Sequence, residues 1–194
     1  MGIDPPTQLL PLPVVPDYDL IRCIGSGAFG EVWLARAKPT QRFRAIKLVH
    51  RSRFPRPNLY ETEFNGLRKF EELSREHAGF IDILHVSRND QAGCFSYVME
   101  LADDLEAGQT FDPRKYVSKT LASELERRQR HAPDGRGCFT PAECVQLALS
   151  ITAALSALHQ NGLVHRDIKP SNIVFVRGMA KLADVGLVTG VHHQ

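Results

Sequence analysis

The sequence predicts an α+β protein built in two lobes, and three observations predict it. The first hundred residues alternate short strand patterns with one helical pattern, as in a sheet that carries a single helix. Residues 140–161 then read as a long apolar helix with start and stop signals at its ends. That helix leads into a polar octet, His165-Arg166-Asp167-Ile168-Lys169-Pro170-Ser171-Asn172, which is followed by a strand pattern, Ile173–Val176. A polar loop held between two rigid elements is where catalytic side chains are commonly placed.

Composition bounds the answer. The 194 residues suffice for one ordinary domain or two small lobes, and 43% hydrophobic content supports a substantial core. A net charge of +2 argues against a dedicated nucleic-acid binder. The cysteines, Cys23, Cys94, Cys138 and Cys144, have no C-x-x-C spacing and read as reduced thiols of a cytoplasmic chain, not as a zinc site or a disulfide framework. No apolar run approaches the roughly 20 residues that span a bilayer, so no membrane segment is expected. The N-terminus lacks the pattern of a signal peptide. Met1-Gly2 opens a myristoylation pattern, but Pro6 stands where that pattern needs Ser or Thr. There is no internal repeat.

In chain order, residues 1–16 carry Pro5, Pro6, Pro11, Pro13 and Pro16 and read as a flexible, extended tail. Order is expected from near Asp17, where Leu20, Arg22 and Ile24 alternate with Ile21 and Cys23 as a strand. Gly25-Ser26-Gly27-Ala28-Phe29-Gly30 follows. A lone G-x-G-x-x-G serves two nucleotide folds; the Rossmann version opens a helix and needs an acidic residue about 20 positions on. Here the glycines run into Val32-Trp33-Leu34-Ala35, a strand, and no Asp or Glu lies between Val32 and Tyr60. The loop therefore reads as the turn of a hairpin whose backbone lies flat over phosphates.

Residues 42–50 form the third strand, with Phe43, Ala45, Lys47 and Val49 on one face. An inward lysine is rare unless paired. Alone, a lysine snorkelling to solvent is the better reading; beside a phosphate-type glycine loop, a phosphate contact is. Residues 58–77 read as a helix whose stripe is Leu59, Glu63, Leu67 and Phe70. Glu63 then faces the core and needs a cation, for which Lys47 is the natural partner; Glu61, on the polar face, is the runner-up.

Strands at 81–86 and 94–100 flank a turn at Asn89-Asp90-Gln91-Ala92-Gly93, and Met99-Glu100-Leu101-Ala102 leaves the sheet where a hinge between lobes would lie. This divides the chain into 17–101 and 102–194. Residues 111–137 are charged and irregular around one helix at 121–130. Thr140-Pro141-Ala142-Glu143 is a capping box. Its helix is expected to bury Val145, Ala148, Leu149, Thr152, Leu155 and Leu158 and to stop at Asn161-Gly162. After the octet, a hairpin turning at Arg177-Gly178 brings Asp167, Asn172 and Asp184 together. Two carboxylates and an amide oxygen suit a hard divalent cation and a base for a hydroxyl. His-Arg-Asp alone occurs by chance; the octet, with Lys169 two residues after Asp167 and Asn172 five after it, is far more specific.

Taken together and in this order, these motifs resemble the eukaryotic-like protein kinase family from Asp17 onward. The match rests on Gly25-x-Gly27-x-x-Gly30-x-Val32, Ala45-Ile46-Lys47, Glu63, the octet and Asp184-x-Gly186. The resemblance implies a two-lobed kinase-like fold that binds ATP and Mg²⁺. By it, Asp167 takes or orients the proton of the acceptor hydroxyl, and Lys169 touches the γ-phosphate. Lys47 holds the α- and β-phosphates and pairs with Glu63, while Asn172 and Asp184 hold magnesium. The cradle is Gly25, Ser26, Gly27, Ala28, Phe29 and Gly30. Val32, Ala45 and Val174 sandwich the adenine, Glu100 and Ala102 offer it hinge backbone, and Met99 is the gatekeeper. Lys169-Pro170 resembles the branch that phosphorylates protein Ser/Thr hydroxyls, and Arg166 resembles kinases switched by phosphorylation.

Two departures from the family pattern carry expectations. Val185 stands where the family has phenylalanine, which would loosen packing between the lobes. An Ala-Pro-Glu segment and the later helices of the second lobe are absent, so an incomplete second lobe is expected. The rivals are a non-catalytic ATP-binding module and a small-molecule phosphotransferase of the aminoglycoside type. Lys169-Pro170 and the full glycine loop argue against the second.

Overall fold

A computed structural model describes residues 15–132, 137–184 and 189–190. An antiparallel five-stranded sheet in the order β1-β2-β3-β5-β4 forms its first part. The strands are β1 (Tyr18–Ser26), β2 (Gly30–Ala37), β3 (Phe43–His50), β4 (Ile83–Asn89) and β5 (Cys94–Met99). Strand alternation sorts β3 between the two faces of the sheet. Ile46 and Leu48 point to one face and pack with Val15, Ala35 and Val98. Ala45 and Val49 point to the other and join Phe95, Tyr97 and the helix α1 (Pro57–Glu76). Val15 is buried in the outer cluster, so the ordered chain begins before the Asp17 expected from sequence. The rest of the proline-rich stretch, residues 1–14, lies outside the described residues.

Helix α1 starts with Pro57 in its first turn, a position that needs no backbone N–H. It buries Tyr60, Glu63, Leu67 and Phe70, spaced as one helical face. Leu59, expected on that stripe, is instead exposed. The face is centred on Tyr60, whose ring meets Phe54 and Phe95. Arg88 of β4 holds Glu61 with two hydrogen bonds of 2.7 and 2.8 Å and lies over the Tyr60 and Phe64 rings. Strand β4 begins two residues later than expected. Its predecessors turn away from the sheet, with Ile81 N–H donating to Leu182 O and Leu182 N–H to Gly79 O.

The second part follows the Met99–Ala102 stretch. Residues 104–118 close on themselves through bridges from Asp104 to Gly108 and to Ser118. Tyr116 is buried at their centre. Helix α2 (Leu121–His131) is capped by Thr120 and buries Glu124 against Arg127 and Arg128. Arg128 also reaches Glu143 at 2.7 Å, which ties α2 to the start of α3 (Pro141–Gln160). The capping box read from Thr140 and Glu143 is formed, with reciprocal bonds of 3.3 and 2.7 Å. Past the helix, β6 (Leu163–Val164) pairs with β9 (Thr189–Gly190), and β7 (Ile173–Val176) forms a hairpin with β8 (Met179–Leu182). The hairpin turns at Arg177 and Gly178, with φ of 52° and 78°, as the sequence led us to expect. Asp103 holds the turn by accepting both backbone N–H groups at 2.8 Å.

One apolar core runs through both parts, from Val49, Phe70 and Phe80 to Ala154, Leu158, Ile173 and Leu182. The face of α3 that enters this core is Ile151, Ala154 and Leu158. Of the stripe expected from sequence, Leu158 is buried and Leu155 half-buried, but Val145, Ala148, Leu149 and Thr152 are exposed. The helix is apolar most of the way round, so periodicity alone did not fix its phase. By length and composition α3 also meets the criterion for a membrane span, contrary to the expectation that no segment would. Here one face is packed against β6 and β8.

Val145 and Leu149 are 56% and 59% exposed and one helical turn apart, which makes a contiguous apolar patch. The 194-residue chain is therefore expected to self-associate at micromolar concentration, and Leu149→Lys to shift it toward monomer in sedimentation velocity. A strictly monomeric parent chain would contradict this.

Candidate active site

A cavity of about 430 Å³ opens between the inner face of the sheet and the β7–β8 hairpin. Every site residue named from the sequence lines it, from Gly25–Gly30, Val32 and Ala45 to Glu100, Ala102 and Val174. Lys47, Glu63, Asp167, Lys169, Asn172 and Asp184 complete the wall, so residues far apart in the chain converge on one space.

The glycine loop is the turn of the β1–β2 hairpin, with Ser26 opposite Glu31. The next element is a strand, as read from the sequence, which excludes the helix-opening alternative. The loop is closed by Gly27 N–H donating to Gly30 O at 2.9 Å. Its glycines serve different needs. A Cβ on Gly30 would lie 2.0 Å from Leu48 O, so β3 excludes any side chain there. A Cβ on Gly27 would meet nothing within 4 Å. The open side of Gly27 leaves its backbone approachable.

Lys47 lies on β3 opposite Val32 and Tyr97 and is buried. Its ammonium donates to Asp184 Oδ1, not to Glu63. Burial opposes the Lys47 charge, but Tyr97, Asp184 and Glu63 around it hold its pKa above the ordinary lysine value. Glu63 does point into the core beside this pair, as the helix phase predicted, and Glu61 is committed to Arg88 at the surface. The expected Lys47–Glu63 ion pair is not formed: Glu63 Oε1 is buried without a hydrogen-bond partner. One ammonium stands near two carboxyl groups, and the more exposed Asp184 holds it. Burial pushes the Glu63 carboxyl up to about 7, against the lowering effect of Lys47.

Asp184 and Arg166 are non-glycine residues at φ of 59° and 62°, a conformation that costs roughly 1–2 kcal/mol for an L side chain. Neighbouring bonds hold Asp184 there. Ala183 N–H donates to Asn172 O at 2.8 Å, and buried His165 donates from Nε2 to Ala183 O at 3.1 Å. That bond fixes the proton on Nε2, and burial lowers the His165 pKa. The imidazole is thus a neutral strut behind Asp184.

Asp167 is the hub of the octet. Its Oδ2 accepts from Lys169 Nζ at 2.7 Å and from Asn172 Nδ2 at 2.9 Å, while Asn172 also bonds the Asp167 carbonyl at 2.8 Å. The Lys169 bond, followed by that of Asn172, holds the Asp167 carboxyl below the usual carboxylate range. Among the described residues Oδ1 makes no hydrogen bond, which leaves one anionic oxygen to orient a hydroxyl. With its Nδ2 engaged, Asn172 turns to the cavity an Oδ1 that makes no hydrogen bond among the described residues and can ligate a metal. Together with Asp184 this is an oxygen-only set, which fits a hard divalent cation such as Mg²⁺. The cavity's apolar sides and its lysine fit a nucleotide triphosphate.

At the hinge, Glu100 N–H donates to Asp82 O at 3.1 Å. Its carboxylate accepts from Asp82 N–H at 3.0 Å and from buried Lys181. Ala102 O accepts from Tyr116 Oη at 3.0 Å, and Ala102 N–H makes no hydrogen bond among the described residues. Tyr116, Ser118 and Thr120 line the cavity, although sequence reading passed over this stretch as charged and irregular. The signal it offered was Tyr116-Val117-Ser118-Lys119-Thr120, an alternating run that ends in a helix cap. Tyr97 was missed too, although the period of two on β5 places it beside Lys47. Val185 and Gly186 lie outside the described residues.

The unpaired Glu63 gives stability a pH dependence. Its ordinary value of 4.5 rises to about 7 on folding, so its contribution is fully present below about 4.5 and lost as pH rises through 7. Relative to Glu63→Gln, the chain without ligand should lose on the order of 3 kcal/mol of stability between about pH 5 and 8. His50 and His165, whose pKa values burial lowers, act in the opposite sense but cancel in this difference. Urea unfolding of both proteins across that range checks it; parallel profiles would mean that Glu63 is ionised and paired.

Comparison with known proteins identifies the family. The protein kinase domain family matches residues 18–194. The chain is 28% identical over 176 residues to serine/threonine-protein kinase sid2 of Schizosaccharomyces pombe, across 90% of this chain and 25% of that protein. It is 31% identical over 179 residues to CBK1 of Saccharomyces cerevisiae, across 91% of this chain and 20% of that protein. Human MRCK gamma is 30% identical over 173 residues, across 88% of this chain and 9% of that kinase. The chain thus spans a quarter or less of these relatives, all three named as serine/threonine-protein kinases. With the match running from β1 to the last residue over this cavity, the chain belongs to the protein kinase family.

Proposed function

We propose that the chain carries the nucleotide-binding and phosphoryl-transfer centre of a serine/threonine protein kinase. The observation that carries this reading is the Asp167–Lys169–Asn172 cluster, which faces the same cavity as Lys47, Asp184 and the glycine loop. Phosphoryl transfer asks a protein chiefly for positioning and charge neutralisation, and these residues supply both. Mg·ATP would supply the transferable phosphoryl group. Lys47 would turn from Asp184 to the α- and β-phosphates, which would free Asp184 to join Asn172 as a magnesium ligand. Asp167 Oδ1 would orient the serine or threonine hydroxyl of a protein substrate, and Lys169 would steady the γ-phosphate. Glu100 O and Ala102 N–H would meet the adenine edge.

A second reading, nucleotide binding without transfer, has one observation in its favour: Lys47 is held by Asp184 and Glu63 is unpaired. Calorimetry with Mg·ATP and a phosphorylation assay on a generic basic protein separate the two. Asp184→Ala and Lys47→Met are expected to weaken or abolish Mg·ATP binding. Asp167→Asn should bind Mg·ATP as the parent does but transfer phosphate about 10²–10⁴-fold more slowly. Loss of affinity in Asp167→Asn as severe as in Asp184→Ala would contradict this division of roles. Binding with no transfer by the parent, in the full-length protein, would favour the second reading.

A further inference from the structure

We propose that Arg53 and Phe54, on the connection between β3 and α1, are positioning residues that pre-set the glycine loop for a triphosphate. The inference rests on the nucleotide-binding reading of the cavity. Phe29, at the loop tip, stacks on Phe54 with ring centroids 4.5 Å apart and planes 16° from parallel. Phe54 in turn meets the edge of Tyr60, at 5.6 Å and 78°. Tyr60 is fully buried on α1, so an unbroken row of rings joins the loop tip to that helix. Phe54 precedes Pro57, the first residue of α1, by only three positions, so its backbone is tethered close to the helix start.

Arg53 approaches the same loop from the side. Its guanidinium donates to Gly27 O at 3.3 Å and pairs with the Glu31 carboxylate, which also accepts from Trp33 Nε1 at 3.2 Å. The backbone adds one bond, from His50 N–H to Phe29 O at 3.2 Å. The Arg53–Glu31 pair is about a third exposed, so its charge attraction is weak. Its contribution here is geometric: the contact to Gly27 O restrains a cavity-lining residue whose own structure leaves open space around it.

A loop of glycine, serine and alanine has many conformations, and ordering it on a ligand costs binding free energy. A tip already docked on Phe54 removes part of that cost. The saving appears only for ligands that use the loop, which means those with phosphates. Adenosine, held by the hinge and the apolar walls, does not draw on it. Loss of the stack should therefore weaken triphosphate binding while leaving nucleoside binding intact, whereas general damage to the fold would weaken both.

The test is calorimetry with Mg·ATP and with adenosine on the parent chain, Phe54→Ala, Phe54→Tyr and Arg53→Ala. Melting profiles identify variants that fail to fold, and Phe54→Tyr keeps the stack if Phe54→Ala does not survive. Phe54→Ala is expected to lose about tenfold in Mg·ATP affinity with adenosine affinity within twofold. Phe54→Tyr should match the parent, and Arg53→Ala should lose a smaller, ATP-selective amount. Phe29→Leu added to Phe54→Leu should cost little more than either change alone. Equal losses for ATP and adenosine, no loss for ATP, a loss in Phe54→Tyr as large as in Phe54→Ala, or additive effects would each overturn the proposal. A parent chain that binds neither ligand would overturn the reading of the cavity itself, a result distinct from binding without selectivity.

Discussion

A single buried ammonium surrounded by more carboxyl groups than it can neutralise governs the centre of this molecule. Lys47 has two claimants, Glu63 on α1 and Asp184 at the end of β8, and it pairs with Asp184. Desolvated charges are costly unless paired, so whichever carboxyl is left out takes up a proton or needs a new partner. That choice links three elements at once. β3 supplies the cation, α1 the carboxyl left unpaired, and the β8 end the partner, so a change at any one of them redistributes charge among the others. The row of rings from Phe29 through Phe54 ends at Tyr60, on the same helix as Glu63, so the phosphate loop is in contact with the helix that carries the unpaired carboxyl.

Local chemistry was legible in the sequence wherever a residue's environment is fixed by neighbours along the chain. The hairpin around the glycines, the inward Lys47 and the Glu63 phase follow from strand and helix periods, the His165–Asn172 octet from its residue types and spacing, and each brings residues to the cavity. The choice of partner for Lys47 was not legible, because two elements distant in sequence compete for it and no local pattern ranks them. The phase of α3 escaped for a different reason. Its residues are apolar on nearly every face, so the buried side is selected by β6 and β8 and not by the helix's own pattern. The Tyr116 stretch was hidden because its order comes from Asp104, whose carboxylate accepts the N–H groups of Glu106, Ala107 and Val117 at 2.8–3.0 Å.

The passage between the two parts of the structure is held by polar contacts as well as by the shared apolar core. Lys181 is buried and bonds Glu100, with Asp82 3.5 Å away, so β8, the strand before the hinge and the segment after α1 meet at one ammonium. On the other side of the same stretch, Asp103 holds the β7–β8 turn and Arg22 of β1 donates to the Pro113 and Tyr116 carbonyls. Each of these bonds is directional. The stretch is thereby held in a defined orientation in the cavity wall, which continuous apolar packing alone would not specify.

The close approach of Gly30 to Leu48 O has a consequence for how this sequence can drift. Three glycines that look equivalent as a pattern sit under unequal steric demands. Position 27 borders open space, so an added methyl group meets no atom of the fold within 4 Å. Position 30 lies at the start of β2 where it pairs with β3, opposite Val49, and any side chain there must pry the two strands apart. A variant of this chain that no longer bound nucleotides would have room for a side chain at Gly27 and still none at Gly30, so the two positions answer to different constraints.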